Sequence, residues 1–189
     1  MDDKDARQAL GMVEYRSIGQ GLQCTDRLLK GFPVELVFLR VVCPGKLLAA
    51  ITGEAGAVRG ALQQARKGHV GSNLTHIDDF FLGNPAPGLV KALRGTVPVD
   101  KPHALGVIET FTASSAVVAA DTAAKAALVT LVGIHLARGL AGKAHICLVG
   151  SVGAVEAALE AVEKHLEPGL LSRKTIIPSP AGATWSAVL

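Results

Sequence analysis

The chain has 189 residues, 49% of them hydrophobic and only 4% aromatic, enough for one ordinary domain or two small ones with cores of small and branched aliphatic side chains. Its net charge of +3 and pI near 8.9 are mildly basic, but Lys and Arg are scattered rather than clustered with aromatics, which argues against nucleic-acid binding. The most apolar stretch, 126–150, is broken by Thr130, His135, Arg138, Lys143 and His145, costly groups in hydrocarbon, so no membrane span is expected.

The amino terminus, Met1-Asp2-Asp3-Lys4-Asp5, is acidic and has no apolar segment behind it, which predicts a cytoplasmic protein. Cys24, Cys43 and Cys147 are odd in number and lack C-x-x-C spacing, so no disulfide framework is implied.

From Ala9 onward the chain is read as a repeat, because its opening recurs about 95 residues later. Ala9-Leu10-Gly11-Met12-Val13-Glu14 is answered by Ala104-Leu105-Gly106-Val107-Ile108-Glu109, a short strand in each copy. A helix follows in which Asp26 and Lys30, or Asp121 and Lys125, stand four apart on one face. Two apolar runs joined by a Gly-containing turn come next, 34–42 with 46–52 and 129–137 with 143–149, and predict a buried hairpin. A second helix is expected over 54–67 and 152–165, with Ala, Val and Leu at helical spacing. Each copy closes with a strand, within 73–81 and 172–177, that runs into Pro85-Ala86-Pro87 or Pro178-Ser179-Pro180 and a short helix. A breaker-rich linker over 95–103 places the boundary near residue 102, giving domains 1–102 and 103–189, each α+β.

Residue by residue, the bland readings are strong. Cys24 and Cys147 lie in a helix pattern and an apolar strand and read as core; Cys43, alone before a turn, reads either as a small hydrophobe or as a presented thiol. The two Asp–Lys pairs read as solvated i,i+4 pairs. His69, His76, His103, His135, His145 and His165 show neither zinc-ligand spacing nor an adjacent carboxylate pattern and read as surface or core. No phosphate loop, nucleophile elbow or paired-carboxylate signature appears, so the chain is not expected to be an enzyme.

The Leu-Gly-x-hydrophobic-Glu opening, Asp121-x-x-x-Lys125-Ala126-Ala127 and the Gly-Lys hairpins at Gly45-Lys46 and Gly142-Lys143 together resemble the bacterial microcompartment shell domain. The likeness covers both halves, in the unpermuted, ferredoxin-like order. Val42-Cys43-Pro44-Gly45-Lys46, Ile176-Ile177-Pro178-Ser179-Pro180 and Trp185 are similar to the tandem-domain members of propanediol-utilisation compartments. The resemblance implies a homotrimer whose six domains make a pseudohexagonal tile that packs against other shell proteins. It implies that the hairpin turns, Cys43-Pro44-Gly45 and Arg138-Gly139-Leu140-Ala141-Gly142, line a central pore. Three Cys43 thiolates there would hold a [4Fe-4S] cluster, with a fourth ligand from outside and an encapsulated redox enzyme as a further partner. Lys30 and Lys125 would lie at the tile edge. Where many single-domain shell proteins carry Arg in a Pro-Arg-Pro-His tail, this chain has Ser179 and Ala181, which puts part of the usual edge contact in doubt. Lys46, Arg138 and Lys143 are expected to make the tile centre electropositive, or else to be ordinary solvated charges.

Three functions are thus in competition. They are a tile carrying a cluster for electron transfer or iron handling, a tile with a metabolite-conducting pore and no cluster, and a ligand-binding regulator of duplicated ferredoxin-like domains.

Overall fold

A computed structural model describes residues 8–67, 69–70, 73–99, 104–136 and 142–188. By spatial packing the chain divides between Pro85 and Ala86 into two compact units, built on the same plan.

The first unit runs β1 (Ala9–Tyr15), α1 (Ile18–Gly31), β2 (Val34–Val42), β3 (Lys46–Gly53), α2 (Ala55–Arg66), the two-residue strands β4 (His69–Val70) and β5 (Asn73–Leu74), and β6 (His76–Leu82). Its main sheet is antiparallel in the order β2-β3-β1-β6. The second unit begins with α3 (Leu89–Arg94), then β7 (Ala104–Thr110), α4 (Ala113–Ala126), β8 (Thr130–Leu136), β9 (Ala144–Gly150), α5 (Val152–His165), β10 (Leu171–Ile177) and α6 (Gly182–Val188). Its sheet, β10-β7-β9-β8, has the same topology.

Local chemistry sets the helix starts. Ser17 and Ser151 accept from the third backbone N–H of α1 and α5, Glu54 takes two N–H groups of α2, and Thr112 with Ser115 forms a reciprocal capping box on α4. Glu54 in the Gly53-Glu54-Ala55-Gly56 run is therefore a helix cap. The glycine of each strand opening has a packing role. A Cβ on Gly11 would lie 2.8 Å from Val58 Cγ1 of α2, and one on Gly106 would lie 2.7 Å from Val155 Cγ1 of α5, so only glycine lets the helix seat this closely.

The first core joins Ala9, Val13, Tyr15, Leu47, Ala49 and Ile51 of the sheet to Cys24 and Leu28 of α1 and to Val58, Ala61, Leu62 and Ala65 of α2. Each fully buried Leu or Ile contributes about 1.5–3 kcal/mol. In the second unit the indole of Trp185 on α6 caps a cluster of Leu105, Val132, Cys147 and Val149. Helix α3 packs on β8 and α4, and Val97 N–H donates to Val132 O. The segment after the first repeat therefore belongs spatially to the second unit, upstream of the sequence boundary near residue 102, because its apolar face finds a partner there.

An α-to-sheet ion pair recurs with its charges exchanged. Arg66 of α2 grips Asp79 of β6 through three contacts of 2.7–3.1 Å, and at the equivalent place Glu163 of α5 accepts from Lys174 of β10 at 2.6 Å. No described helix is long and apolar enough to cross a membrane.

Candidate functional site

The β2–β3 hairpin closes at Val42 opposite Lys46, leaving Cys43, Pro44 and Gly45 as the turn. Gly45 has φ +71° and Gly142, its counterpart in the second hairpin, +91°; that left-handed backbone suits glycine and disfavours any other residue. Cys43 is exposed, whereas Cys24 and Cys147 are buried. Burial pushes the Cys147 thiol up to about 11, so it is a protonated core group at neutral pH. Cys24 Sγ lies 3.8 Å from Thr75 Oγ1. Of the three sulfurs, the one in the turn is therefore the one presented to solvent. Pro44 and Gly45 are exposed with it, and a Cβ on Gly45 would meet nothing within 4 Å.

Lys46, expected to add positive charge at this turn, is instead paired. Its Nζ donates to Glu14 Oε1 at 2.6 Å, with the Glu14 side chain 10% exposed. The cation is thereby neutralised within its own domain. In the second hairpin Lys143 Nζ lies 5.1 Å from the centre of the exposed Phe111 ring. Arg138, Gly139, Leu140 and Ala141 of the second turn lie outside the described residues.

The two helix-end lysines also part company. Lys30 and Asp26 form an exposed pair at 2.7 Å, 75% and 59% accessible, as a solvated pair should be. Asp121 is only 8% accessible; its Oδ2 accepts from Lys125 at 2.6 Å while its Oδ1 accepts from the backbone N–H of Ala86 at 2.6 Å. Lys125 is thus held on a buried anchor, and its side chain remains 46% exposed.

Two groupings were missed in the reading of the histidines as isolated surface or core residues. His76 Nε2 lies 2.7 Å from Asp79 Oδ1. Burial pushes the Asp79 carboxyl up, but the hydrogen bonds and charges of Arg66 and His76 outweigh it and hold the group below the usual carboxylate range. On the second sheet His135, His145 and Glu109 stand in one row across β8, β9 and β7, the two imidazoles stacked at 4.5 Å. Burial, aided by His135 and opposed by Glu109, lowers the His145 pKa from the ordinary imidazole value. The i,i+3 spacing of His76 and Asp79 was a usable signal; the row on the second sheet needed the strand register.

Known proteins carry the same plan. The BMC domain family matches residues 9–85 and again 104–180. The chain is 36% identical over 182 residues to the bacterial microcompartment shell protein PduT of Citrobacter freundii, covering 94% of this chain and 96% of that one. A crystal structure of a microcompartment protein from Desulfitobacterium hafniense superposes with TM-score 0.88 at 36% identity, over 96% of this chain and 99% of that one. The fused permuted hexameric shell protein of the RMM microcompartment shares the fold alone, with TM-score 0.60 at 23% identity over 83% of this chain and 82% of that one. The two matched domains and the near full-length relatives leave one conclusion: this chain belongs to the bacterial microcompartment shell proteins, with two BMC domains in tandem.

Proposed function

We propose that three copies of this chain close around a threefold axis into a six-domain shell tile, and that Cys43 from each copy binds a [4Fe-4S] cluster at its centre. A chain with two unequal domains completes a six-domain ring only in threes. The observation that carries the cluster is the accessibility of Cys43 in a tight hairpin turn while Cys24 and Cys147 are buried. On this reading the rest of a ligand set built on Cys43 comes from its symmetry mates. One thiolate per chain and threefold symmetry supply three cluster ligands, and the fourth is a small molecule or a partner's side chain. Such a cluster, when bound, supplies one-electron transfer or stored iron.

The chain's own contribution is positional. Gly45 bends the turn, Pro44 stiffens it, and the Glu14–Lys46 ion pair ties the base of the hairpin to β1. A shell role is structural, and no catalytic constellation is proposed. Lys30 and the anchored Lys125 are the edge groups offered to neighbouring shell proteins, and an encapsulated redox enzyme is the electron partner. The regulator reading loses its basis with family membership.

The experiment is anaerobic purification of the parent and of Cys43→Ser, with iron and sulfide assays and sedimentation. The parent should sediment as three chains and carry iron, and Cys43→Ser should keep the trimer and lose the iron. An iron-free trimeric parent that also resists reconstitution refutes the cluster and leaves the metabolite-conducting pore. A stable monomer refutes the tile itself.

A further inference from the structure

We propose that His135, His145 and Glu109 form a binding site for a borderline divalent transition-metal ion such as Zn²⁺ on the sheet of the second domain. The strand register places His135 directly opposite His145, and His145 directly opposite Glu109. Directly opposed residues share a sheet face with Cβ atoms about 4.5–5.5 Å apart. Their rings already lie 4.5 Å apart and within 17° of parallel. No three donors converge on a point among the described residues; rotation about the broad imidazole χ2 torsions takes the two rings from stacked to convergent. Two imidazoles and a carboxylate suit zinc and its neighbours and leave a coordination position open for water or a further ligand.

Comparison of the two domains shows that the fold does not demand this row. At the same register positions the first domain has Arg40 opposite Leu48 and Leu48 opposite Glu14. There Arg40 lies over the Phe38 ring at 4.6 Å and Glu14 takes Lys46. In the second domain Gly133 replaces Phe38, and His135 Nε2 lies 3.1 Å from where a Cβ on Gly133 would stand. Lys143, the counterpart of Lys46, lies over Phe111 rather than on Glu109.

Cys147, next but one to His145 on the same strand face, is buried in the core cluster with Trp185 and Val149, so it stays outside the ligand set.

The test is calorimetric titration of Zn²⁺ into metal-stripped full-length protein carrying Cys43→Ser, which separates this site from any iron bound by the turn cysteines. One ion per chain is expected, with affinity falling at least about tenfold in His145→Leu or His135→Gln, less in Glu109→Gln, and not at all in Cys147→Ala. His145→Leu copies Leu48 of the first domain and should fold. If its circular dichroism departs from the parent's, His135→Gln at its exposed position carries the test. Absence of zinc binding, or binding that survives both histidine substitutions, overturns the site.

Discussion

Asp26 and Asp121 occupy the same place in the two repeats, yet alanine at the second should be several times more costly than at the first. The Asp26–Lys30 pair, 59% and 75% accessible, is worth about 0.3–0.5 kcal/mol. Asp121 is nearly buried and joins α4 both to Lys125 and to the backbone of Ala86, itself 4% exposed. Removing its carboxylate deletes a charge-assisted hydrogen bond and leaves a buried N–H unpaired, together about 2–3 kcal/mol. For a chain of this size that corresponds to a fall in Tm of roughly 4–12 °C. Asp121→Asn keeps an acceptor for Ala86 and should cost about half as much. Lys125→Ala, which leaves the Ala86 bond in place, should cost under about 1 kcal/mol. Urea unfolding followed by far-UV circular dichroism gives all four values, and the fluorescence of Trp185, the single tryptophan, reports on the second domain. Equal losses for Asp26→Ala and Asp121→Ala, or an Asn variant as damaged as the Ala variant, would refute the anchoring argument.

The exchanged ion pairs should also differ. Arg66→Ala leaves Asp79, 5% accessible, with the His76 contact at 2.7 Å and should cost about 1–2 kcal/mol, whereas Lys174→Ala breaks a pair 35% and 56% accessible and should cost under about 0.5 kcal/mol in the same denaturation assay. Stability should fall in two stages on acidification. His145 has a folded pKa below its unfolded value of about 6.5, so the unfolded chain takes up the proton first, and stability present above that pH declines below it. Asp79 has a folded pKa below its unfolded value of about 3.9, so its contribution is lost only as pH drops further. His145→Leu should remove the first stage and keep the second; an unchanged profile in denaturant titrations across pH would contradict this assignment.

Much of the fold was legible because it depends on local patterns said twice. Alternating and helical apolar spacing and the glycine of each opening strand act over a few residues, and a duplicated pattern confirms itself. Of the two readings open for Cys43, the Pro and Gly after it pointed to the exposed one, since a tight turn carries its first residue to the surface. Pairings between distant residues were another matter. That Lys46 spends its charge on Glu14, and that Asp121 but not Asp26 is buried, depends on which surfaces pack together, and the two repeats share sequence spacing while differing in packing. The row of His135, His145 and Glu109 joins three strands, and a shift of one residue in either register would turn a side chain to the opposite face. The sequence by itself thus determined the repeat and the elements, whose causes are local. Only the tertiary structure decided which charges are paired, which carboxylate is an anchor and which histidines meet, because burial and strand register are set by the whole domain.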